Sequence, residues 1–385
     1  MMAEALGTGR ITPLLRGAFR GVRFGKKRFM DIWREGHAHF EEKIQGQGFK
    51  QELFTSFYGA SGGPKWFTLF GLDKLIFGEF FKDRQQPLNL IGSSAGAFRA
   101  ACFAQKDPVA AIERLAKNYS ETVYSNNKKP QPLEITSKAF ELLETLFGQT
   151  GTDEIINNPV FKAHFIVAKC NGLVASENKL KQSVGLANSF VRNSMGRPLL
   201  KSQYQRFIFQ HHQSDLEIND PDNIPTTKVS FSAQNIKRAL LASGSIPMVM
   251  QGIKDIPDCP PGMYRDGGII DYHFDFTIQN EGLTLYPHFS STLKAGWFDK
   301  NLPRKVRLQH YDKTVLLCPS AQFIASLPYQ KIPDRSDFVD MTPAQRLKYW
   351  RQVFVESEKL ALHFKHFYQH QHIDSIKSIN QLVKQ

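Results

Sequence analysis

Residues 88–105 read LNLIGSSAGAFRAACFAQ, and this stretch decides the fold. Residues 88–91 are mostly apolar, as in a buried strand, and residues 97–105 are mostly small and apolar, as in a buried helix. Between them lies a Gly-x-Ser-x-Gly pattern, Gly92-Ser93-Ser94-Ala95-Gly96. A sharp strand-to-helix turn needs such glycines, because a Cβ there would clash with the neighbouring strand and helix. The stretch therefore predicts that Ser94 lies on an exposed elbow at the end of a strand.

An elbow serine is suited to act as a nucleophile on an acyl group. It lies at the N-terminus of the following helix, where free backbone N–H groups and a positive helix dipole are available. The oxyanion of a tetrahedral intermediate needs both, and the N–H of Ala95 is the first donor within reach. Ser94 is therefore the candidate nucleophile.

A second glycine-rich turn, residues 59–64, lies upstream between a predicted strand at 52–58 and a predicted helix at 65–82. The backbone N–H groups of Gly62 and Gly63 are not shielded by side chains, so they can line the same space as Ser94. Lys65 adds a positive charge beside them. An ordinary turn is the alternative interpretation of this segment.

Two arrangements could supply a base for Ser94. An α/β-hydrolase would use a histidine after the serine, and His273, His288 and His310 all lie downstream. A serine–aspartate dyad would use Asp266, which ends a short predicted strand and enters Gly267-Gly268. Residue types and order leave both arrangements open, although few strands precede the elbow for an α/β-hydrolase.

The rest of the chain alternates strand-like and helix-like segments. Apolar segments typical of strands occur at residues 165–170, 206–209, 264–266 and 315–318. This alternation predicts an α/β protein of three layers, with a mostly parallel central sheet covered by helices on both faces. A long amphipathic helix with Thr342 as N-cap and Pro343 at its first position predicts a C-terminal helical appendage.

Composition narrows the class of protein. The 385 residues are 41% hydrophobic and carry a net charge of +13, so a large core and an anionic partner are expected. No zinc finger, RNP motif or continuous basic helix supports nucleic acid, which leaves a lipid surface or an acidic substrate. The four cysteines are widely spaced, as in a reduced, cytoplasmic protein. No metal ligand set and no cofactor motif accompany Ser94.

Four ordered motifs resemble those of the patatin-like phospholipases. They are Gly62-Gly63-Pro64-Lys65, the Ser94 elbow, Ala242-Ser243-Gly244-Ser245-Ile246-Pro247 and Asp266-Gly267-Gly268, and the resemblance covers about residues 53–275. It implies a patatin-like fold and cleavage of acyl esters by a serine–aspartate dyad, Ser94 and Asp266, without catalytic histidine or metal. It also implies that Gly62, Gly63, Ala95 and Lys65 form the oxyanion hole.

The chain departs from the family loop at two positions. That loop reads Gly-Gly-Gly-x-Arg/Lys-Gly, and here Ser61 replaces the first glycine and Trp66 the last. We expect Trp66 to narrow the site or to line an acyl groove. Because of Trp66, a non-catalytic lipid-binding or membrane-docking protein remains an alternative. A generic esterase or acyltransferase on the same fold is another.

The sequence predicts three parts: a basic N-terminal arm (1–49), a patatin-like catalytic domain (50–320) and a C-terminal helical extension (321–385). The arm carries seven basic residues among its first thirty against one acid, Glu4, and suits an anionic membrane surface or a presequence. We therefore expect a cytoplasmic lipid acyl hydrolase of (lyso)phospholipids in peripheral contact with anionic membranes.

Overall fold

The computed structural model describes residues 29–34, 44, 46–125 and 130–379. Its strands alternate with helices along the chain, as the sequence predicts. They are, in chain order, β1 (Met30–Arg34), β2 (Phe54–Gly59), β3 (Leu88–Ser93), β4 (Phe161–Cys170), β5 (Tyr204–Gln210), β6 (Ile218–Asn219), β7 (Thr226–Ser230), β8 (Ile253–Lys254), β9 (Met263–Asp266), β10 (Thr277–Ile278), β11 (Leu283–Pro287), β12 (Thr314–Pro319) and β13 (Lys377–Ser378).

The central sheet has eleven strands in the described part of the chain, in the order β13-β1-β12-β11-β2-β3-β4-β5-β7, with β9 and β8 extending from β4. The five strands from β12 to β4 run parallel to their neighbours. Strand β1 is antiparallel to β12, and β5 and β9 are antiparallel to β4. The predicted mostly parallel sheet is therefore confirmed, with antiparallel pairs outside its parallel centre.

Helices cover both faces of the sheet. The α-helices are α1 (Phe70–Leu75), α2 (Ala95–Phe103), α3 (Pro108–Glu121), α4 (Pro132–Phe147), α5 (Gly151–Ile156), α6 (Lys179–Met195), α7 (Ile236–Ser243), α8 (Ala321–Ser326), α9 (Asp337–Asp340) and α10 (Pro343–Gln369).

Successive residues of the central strands enter different cores, as the pleat of a sheet requires. In β3, Leu90 belongs to the largest hydrophobic cluster, and its neighbour Ile91 belongs to a second cluster on the opposite face. In β12, Leu317 and Leu316 divide between the same two clusters. Both faces of the sheet are therefore buried, which confirms the three-layer architecture.

The C-terminal helix is an integral part of the core. Thr342 and Gln345 form a capping box at the start of α10, as expected of Thr342 followed by Pro343. The helix packs directly against α1: the N–H of Gly71 donates to Ser357 Oγ at 2.9 Å. A Cβ on Gly71 would lie 2.8 Å from the backbone of residue 357, so only glycine permits this approach. The predicted C-terminal helix is thus present and buries one side in the largest hydrophobic cluster.

The N-terminal part of the chain differs from the expected arm. Residues 30–34 form β1, which pairs with β12 and with β13. Met30 and Ile32 are buried in the largest core cluster, and this burial holds the strand in the sheet. These residues therefore belong to the sheet and not to a separate arm. Residues 1–28 and 35–43, with the basic residues of the predicted arm, lie outside the described residues.

The single helix predicted at residues 65–82 is divided into three pieces. A 3₁₀ helix (Gly63–Leu69) leads into α1, and a π-helix (Ile76–Phe80) follows it. In the widened last turn the N–H of Phe81 donates to the carbonyl of Ile76 at 2.7 Å. There Phe77 stacks on Phe103 at 3.8 Å between ring centres. The π-helix therefore lies where aromatic side chains pack against α2.

Candidate active site

Ser94 lies on the elbow that the sequence predicts. It is the N-cap of α2, and its backbone has φ 53° and ψ −125°, a conformation that a residue with a Cβ adopts only under strain. The flanking glycines make the turn possible. A Cβ on Gly96 would lie 1.7 Å from the carbonyl oxygen of Gly59, and one on Gly92 would lie 2.4 Å from that of Gly96. The backbones of β2, β3 and α2 are therefore in direct contact around Ser94.

Strand β4 brings Ser94 and Asp266 together. On one edge of β4, Ile166 pairs with Ser93 at the end of β3, and Val167 pairs with Asp266 at the end of β9. Strands β3 and β9 run in opposite directions relative to β4, so their carboxyl ends meet head to head at this point. The residue that follows Ser93 therefore lies beside Asp266.

The two side chains are hydrogen-bonded. Ser94 Oγ donates to Asp266 Oδ2 at 2.7 Å. The other carboxylate oxygen, Oδ1, accepts the N–H of Gly268 at 2.7 Å. One oxygen of the carboxylate is thus held by the backbone, which orients the other oxygen toward the serine hydroxyl.

Two serines at the end of α7 hold the elbow and the aspartate in place: Ser243 is the last residue of the helix, and Ser245 follows it. Ser243 Oγ accepts the N–H of Ser94 at 3.0 Å and donates to the carbonyl of Ile166 at 2.8 Å. The N–H of Asp266 donates to the carbonyl of Ser245 at 3.1 Å. The sequence motif at residues 242–247 indicated this segment, but its pattern gave no role to either serine.

The carboxylate of Asp266 is nearly buried. Burial raises its pKa above the ordinary carboxyl value, and four influences oppose that rise: the Ser94 hydrogen bond, Arg335, the Gly268 N–H and Lys300. Burial, together with the positive charges of Arg335 and Lys65, lowers the pKa of Lys300 to about 7. Lys300 lies over the ring of Tyr272, 4.0 Å from its centre. Arg335 and Lys300 lie outside every motif, and sequence reasoning missed both.

The glycine-rich turn packs against the elbow. Ser61 Oγ donates to the carbonyl of Ser93 at 3.2 Å and to Ser93 Oγ at 3.0 Å. It fills the space that Gly268 leaves open, because a Cβ on Gly268 would lie 2.5 Å from Ser61 Oγ. Serine at the first position of this loop therefore ties the loop to both β3 and the segment after Asp266.

Of the four predicted oxyanion-hole residues, two line the cavity that holds Ser94 and two contact other groups. Gly63 and Ala95 line the cavity that holds Ser94, and each begins a helix, so its N–H has no acceptor within that helix. Gly62 packs under the ring of Phe289. The ammonium of Lys65 pairs with Asp334 at 3.2 Å.

The cavity beside Ser94 has a volume of about 490 Å³ and is mainly apolar. Trp66 is buried and forms part of its wall. Arg335 places a charged group on the wall near Gly63. A Cβ added to Gly63 would lie 3.1 Å from Arg335 Nε. The other large apolar lining residues are Phe98, Leu115, Tyr119, Tyr124, Ile135, Leu142, Ile246, Met248, Val249, Met250, Phe338 and Val339.

The three downstream histidines bind groups other than Ser94 within the described residues. His273 Nδ1 accepts the N–H of Lys294 at 2.9 Å, and His288 Nδ1 accepts that of Ser290 at 3.0 Å. His310 Nδ1 lies 3.0 Å from Asp275 Oδ1. Burial lowers the pKa of His288 to about 3, and it lowers that of His273 as well. Within the described residues, the side chain of Ser94 is hydrogen-bonded to Asp266 and to none of these three histidines.

The described residues contain neither a cluster of metal-binding side chains nor a membrane-spanning helix. No group of three or more His, Cys, Asp or Glu side chains in these ranges is arranged to hold a metal ion. Among the helices at residues 44–379 that the structure describes, none has both the length and the apolar character to cross a bilayer.

Comparison with known proteins gives one family. The family model described as patatin-like phospholipase matches residues 76–273, which include Ser94, Ser243 and Asp266 but not the turn at 59–64. The solved structure of human GIVD cytosolic phospholipase A2 is similar at 10% sequence identity and a TM-score of 0.37, covering 94% of this chain and 67% of that chain. No curated protein matches the chain.

Gly96→Ala should disrupt the elbow. The added Cβ would meet the Gly59 carbonyl oxygen at 1.7 Å, and backbone atoms on both sides cannot rotate away. We expect a loss of about 3 kcal/mol or more in the free energy of unfolding, measured by urea denaturation of the full chain. Gly46→Ala is the control, since no heavy atom lies within 4 Å of a Cβ at that position. Equal stability of the two variants would contradict the close contact.

Proposed function

The chain belongs to the patatin-like phospholipase family, and from this premise we propose that it cleaves acyl esters of phospholipids or lysophospholipids with Ser94 and Asp266. Family membership supports lipid acyl hydrolase activity in general. The observation that carries the finer proposal is the 2.7 Å hydrogen bond from Ser94 Oγ to Asp266 Oδ2.

In the proposed reaction, Ser94 Oγ attacks the ester carbonyl carbon while Asp266 Oδ2 accepts the hydroxyl proton. The N–H groups of Ala95 and Gly63, with that of Gly62, stabilise the oxyanion of the tetrahedral intermediate. The intermediate collapses as the ester C–O bond breaks, and Asp266 returns the proton to the departing alcohol. A water molecule, deprotonated by Asp266, then attacks the acyl-serine. The bond from the acyl carbon to Ser94 Oγ breaks, Asp266 returns the proton to Ser94 Oγ, and the fatty acid is released.

The raised pKa of Asp266 suits this role. A carboxylate with an ordinary pKa is a weak base at neutral pH, and burial makes this one more basic. Arg335 and Lys300 act in the opposite direction and stabilise the ionised form. Asp266 can therefore be ionised before the attack and still accept a proton during it.

The surroundings of Ser94 support a lipid ester as substrate. The apolar wall of the cavity, with Trp66 as part of it, suits an acyl chain. Arg335 lies on the same wall, so a negatively charged group beside the scissile ester would meet its guanidinium. This favours a phospholipid over a neutral glyceride, together with peripheral contact with anionic membranes.

A non-catalytic lipid-binding protein is the second candidate. Two observations favour it: Trp66 in place of the loop glycine, and the pairing of Lys65 with Asp334. The two candidates differ in the reactivity of Ser94, since a binding protein does not require an activated serine. Hydrolysis of phospholipid, lysophospholipid and triacylglycerol by the purified chain separates them.

Ser94→Ala and Asp266→Asn should each lower turnover by about 10³-fold or more, because the nucleophile and its base act as one unit. For the same reason the double variant should be little worse than either single variant. The measurement is kcat on a lipid ester and on a small soluble ester. If Asp266→Asn kept its activity while His273→Ala or His288→Ala abolished it, a serine–histidine mechanism would replace this one.

Arg335→Met should move the acidic limb of the pH–rate profile to higher pH. Asp266 must be ionised to accept the proton, so activity is lost as pH falls through its pKa. The charge of Arg335 lowers that pKa, and its removal lets burial raise the pKa further. The measurement is kcat against pH with a small neutral ester. Arg351→Met, which breaks an exposed ion pair with Glu121, is the control. A limb that stayed in place or moved to lower pH would contradict the assignment of Asp266 as base.

A further inference from the structure

Helix α6 has its polar and apolar faces reversed relative to an ordinary surface helix. Its buried residues are polar or small: Gln182, Gly185, Ser189 and Asn193. Four of its large apolar residues face outward, with exposed fractions of 75% for Leu180, 52% for Val184, 54% for Val191 and 76% for Met195. Residues at these spacings of four and seven positions share one side of an α-helix. We call these four residues the α6 stripe.

The buried side of α6 is held by specific contacts, so the helix cannot rotate to hide the stripe. Asn193 Nδ2 donates to the buried Asp299 Oδ1 at 2.8 Å, and Ser189 Oγ lies 2.9 Å from Tyr204 OH. A Cβ on Gly185 would lie 2.7 Å from the backbone of residue 174, so this side packs directly on backbone. The outward position of the stripe is therefore set by the fold.

Charge around the stripe indicates what covers it. Helix α6 contains Lys179, Lys181 and Arg192 and no acidic residue. A two-fold contact between copies of the chain would bring the same basic helices against each other. An anionic lipid surface can bind both the apolar stripe and the basic residues of α6. The apolar side chains enter the interface, while lysine and arginine remain at the headgroups.

Helix α6 also contacts a residue that lines the cavity holding Ser94. Gln182 Oε1 of α6 accepts the N–H of Met248 at 2.8 Å, and Ser183 Oγ lies 3.7 Å from Met248 Sδ. Met248 is partly exposed and lines that cavity. A smaller adjoining depression is lined by Met248, Lys179 and the exposed Leu133. Helix α6 thus adjoins the wall of that cavity at Met248.

We propose that the α6 stripe docks this protein on anionic lipid surfaces. Docking through α6 holds the cavity wall at Met248 close to the lipid, so an acyl chain has a short path from the bilayer to Ser94. The consequence for catalysis rests on the proposed function, whereas docking itself does not. The docking element is a folded helix and is distinct from the basic residues at 10–28.

The test uses the full chain with the triple substitution Leu180→Gln, Val184→Gln and Met195→Gln. Binding is measured by co-sedimentation with vesicles of phosphatidylglycerol and phosphatidylcholine, and with phosphatidylcholine alone. We expect the triple variant to bind the anionic vesicles at least about ten-fold more weakly, because three apolar side chains no longer enter the interface. Its kcat/KM on a small soluble ester should equal that of the wild type. Val184→Gln should weaken binding more than the matched control Val355→Gln, whose residue is 50% exposed on α10.

The results separate docking from hydrolysis. Ser94→Ala should bind vesicles like the wild type, and a wild type that binds but hydrolyses no lipid would overturn the proposed function alone. Wild-type binding by the triple variant, or loss of binding only when residues 1–28 are removed, would overturn the role of α6. A wild-type dimer that the triple substitution converts to monomer would show that a second copy covers the stripe, and it too would overturn the proposal.

Discussion

The arrangement of the candidate site depends on one edge of strand β4. Two consecutive residues on that edge, Ile166 and Val167, pair with the last residues of β3 and β9. Because β3 is parallel and β9 antiparallel to β4, two chain ends from distant parts of the sequence meet at one point. The serine after β3 and the aspartate at the end of β9 are thereby placed within hydrogen-bonding distance of each other. The other features around Ser94 either hold this junction or occupy the space beside it.

The junction is kept rigid by backbone contacts and buried polar groups. The carbonyl of Gly59 touches Gly96, which presses the elbow against β2. Behind the elbow, the buried guanidinium of Arg99 on α2 binds both carboxylate oxygens of Asp73 on α1. Such a pair is costly to break, because removing one partner leaves an uncompensated charge in the core. The strained backbone of Ser94 is therefore maintained by surroundings that cannot readily relax.

Much of the architecture could be predicted from local patterns. The elbow at Ser94, the strand that ends at Asp266 and the cap at Thr342 each depend on a few adjacent residues with distinct chemistry. Arg335 and Lys300 could not be predicted, because each is a single basic residue in an irregular segment, and only the fold brings it near Asp266. The strand at residues 30–34 could not be predicted, because five residues beside a basic segment are too few to show a strand pattern. The α6 stripe could not be predicted either, because apolar residues spaced like Leu180 and Val184 are typical of a buried face, and only the fold shows which side of the helix is covered.

The central claim is that the hydrogen bond to Asp266 makes Ser94 a reactive nucleophile. Labelling of the purified chain with a fluorophosphonate, followed by mass spectrometry of its peptides, tests this most directly. The account predicts covalent label on Ser94 in the wild type, with much slower labelling of the same residue in Asp266→Asn. Failure of Ser94 to react, or labelling of Ser94 at an undiminished rate in Asp266→Asn, would contradict it.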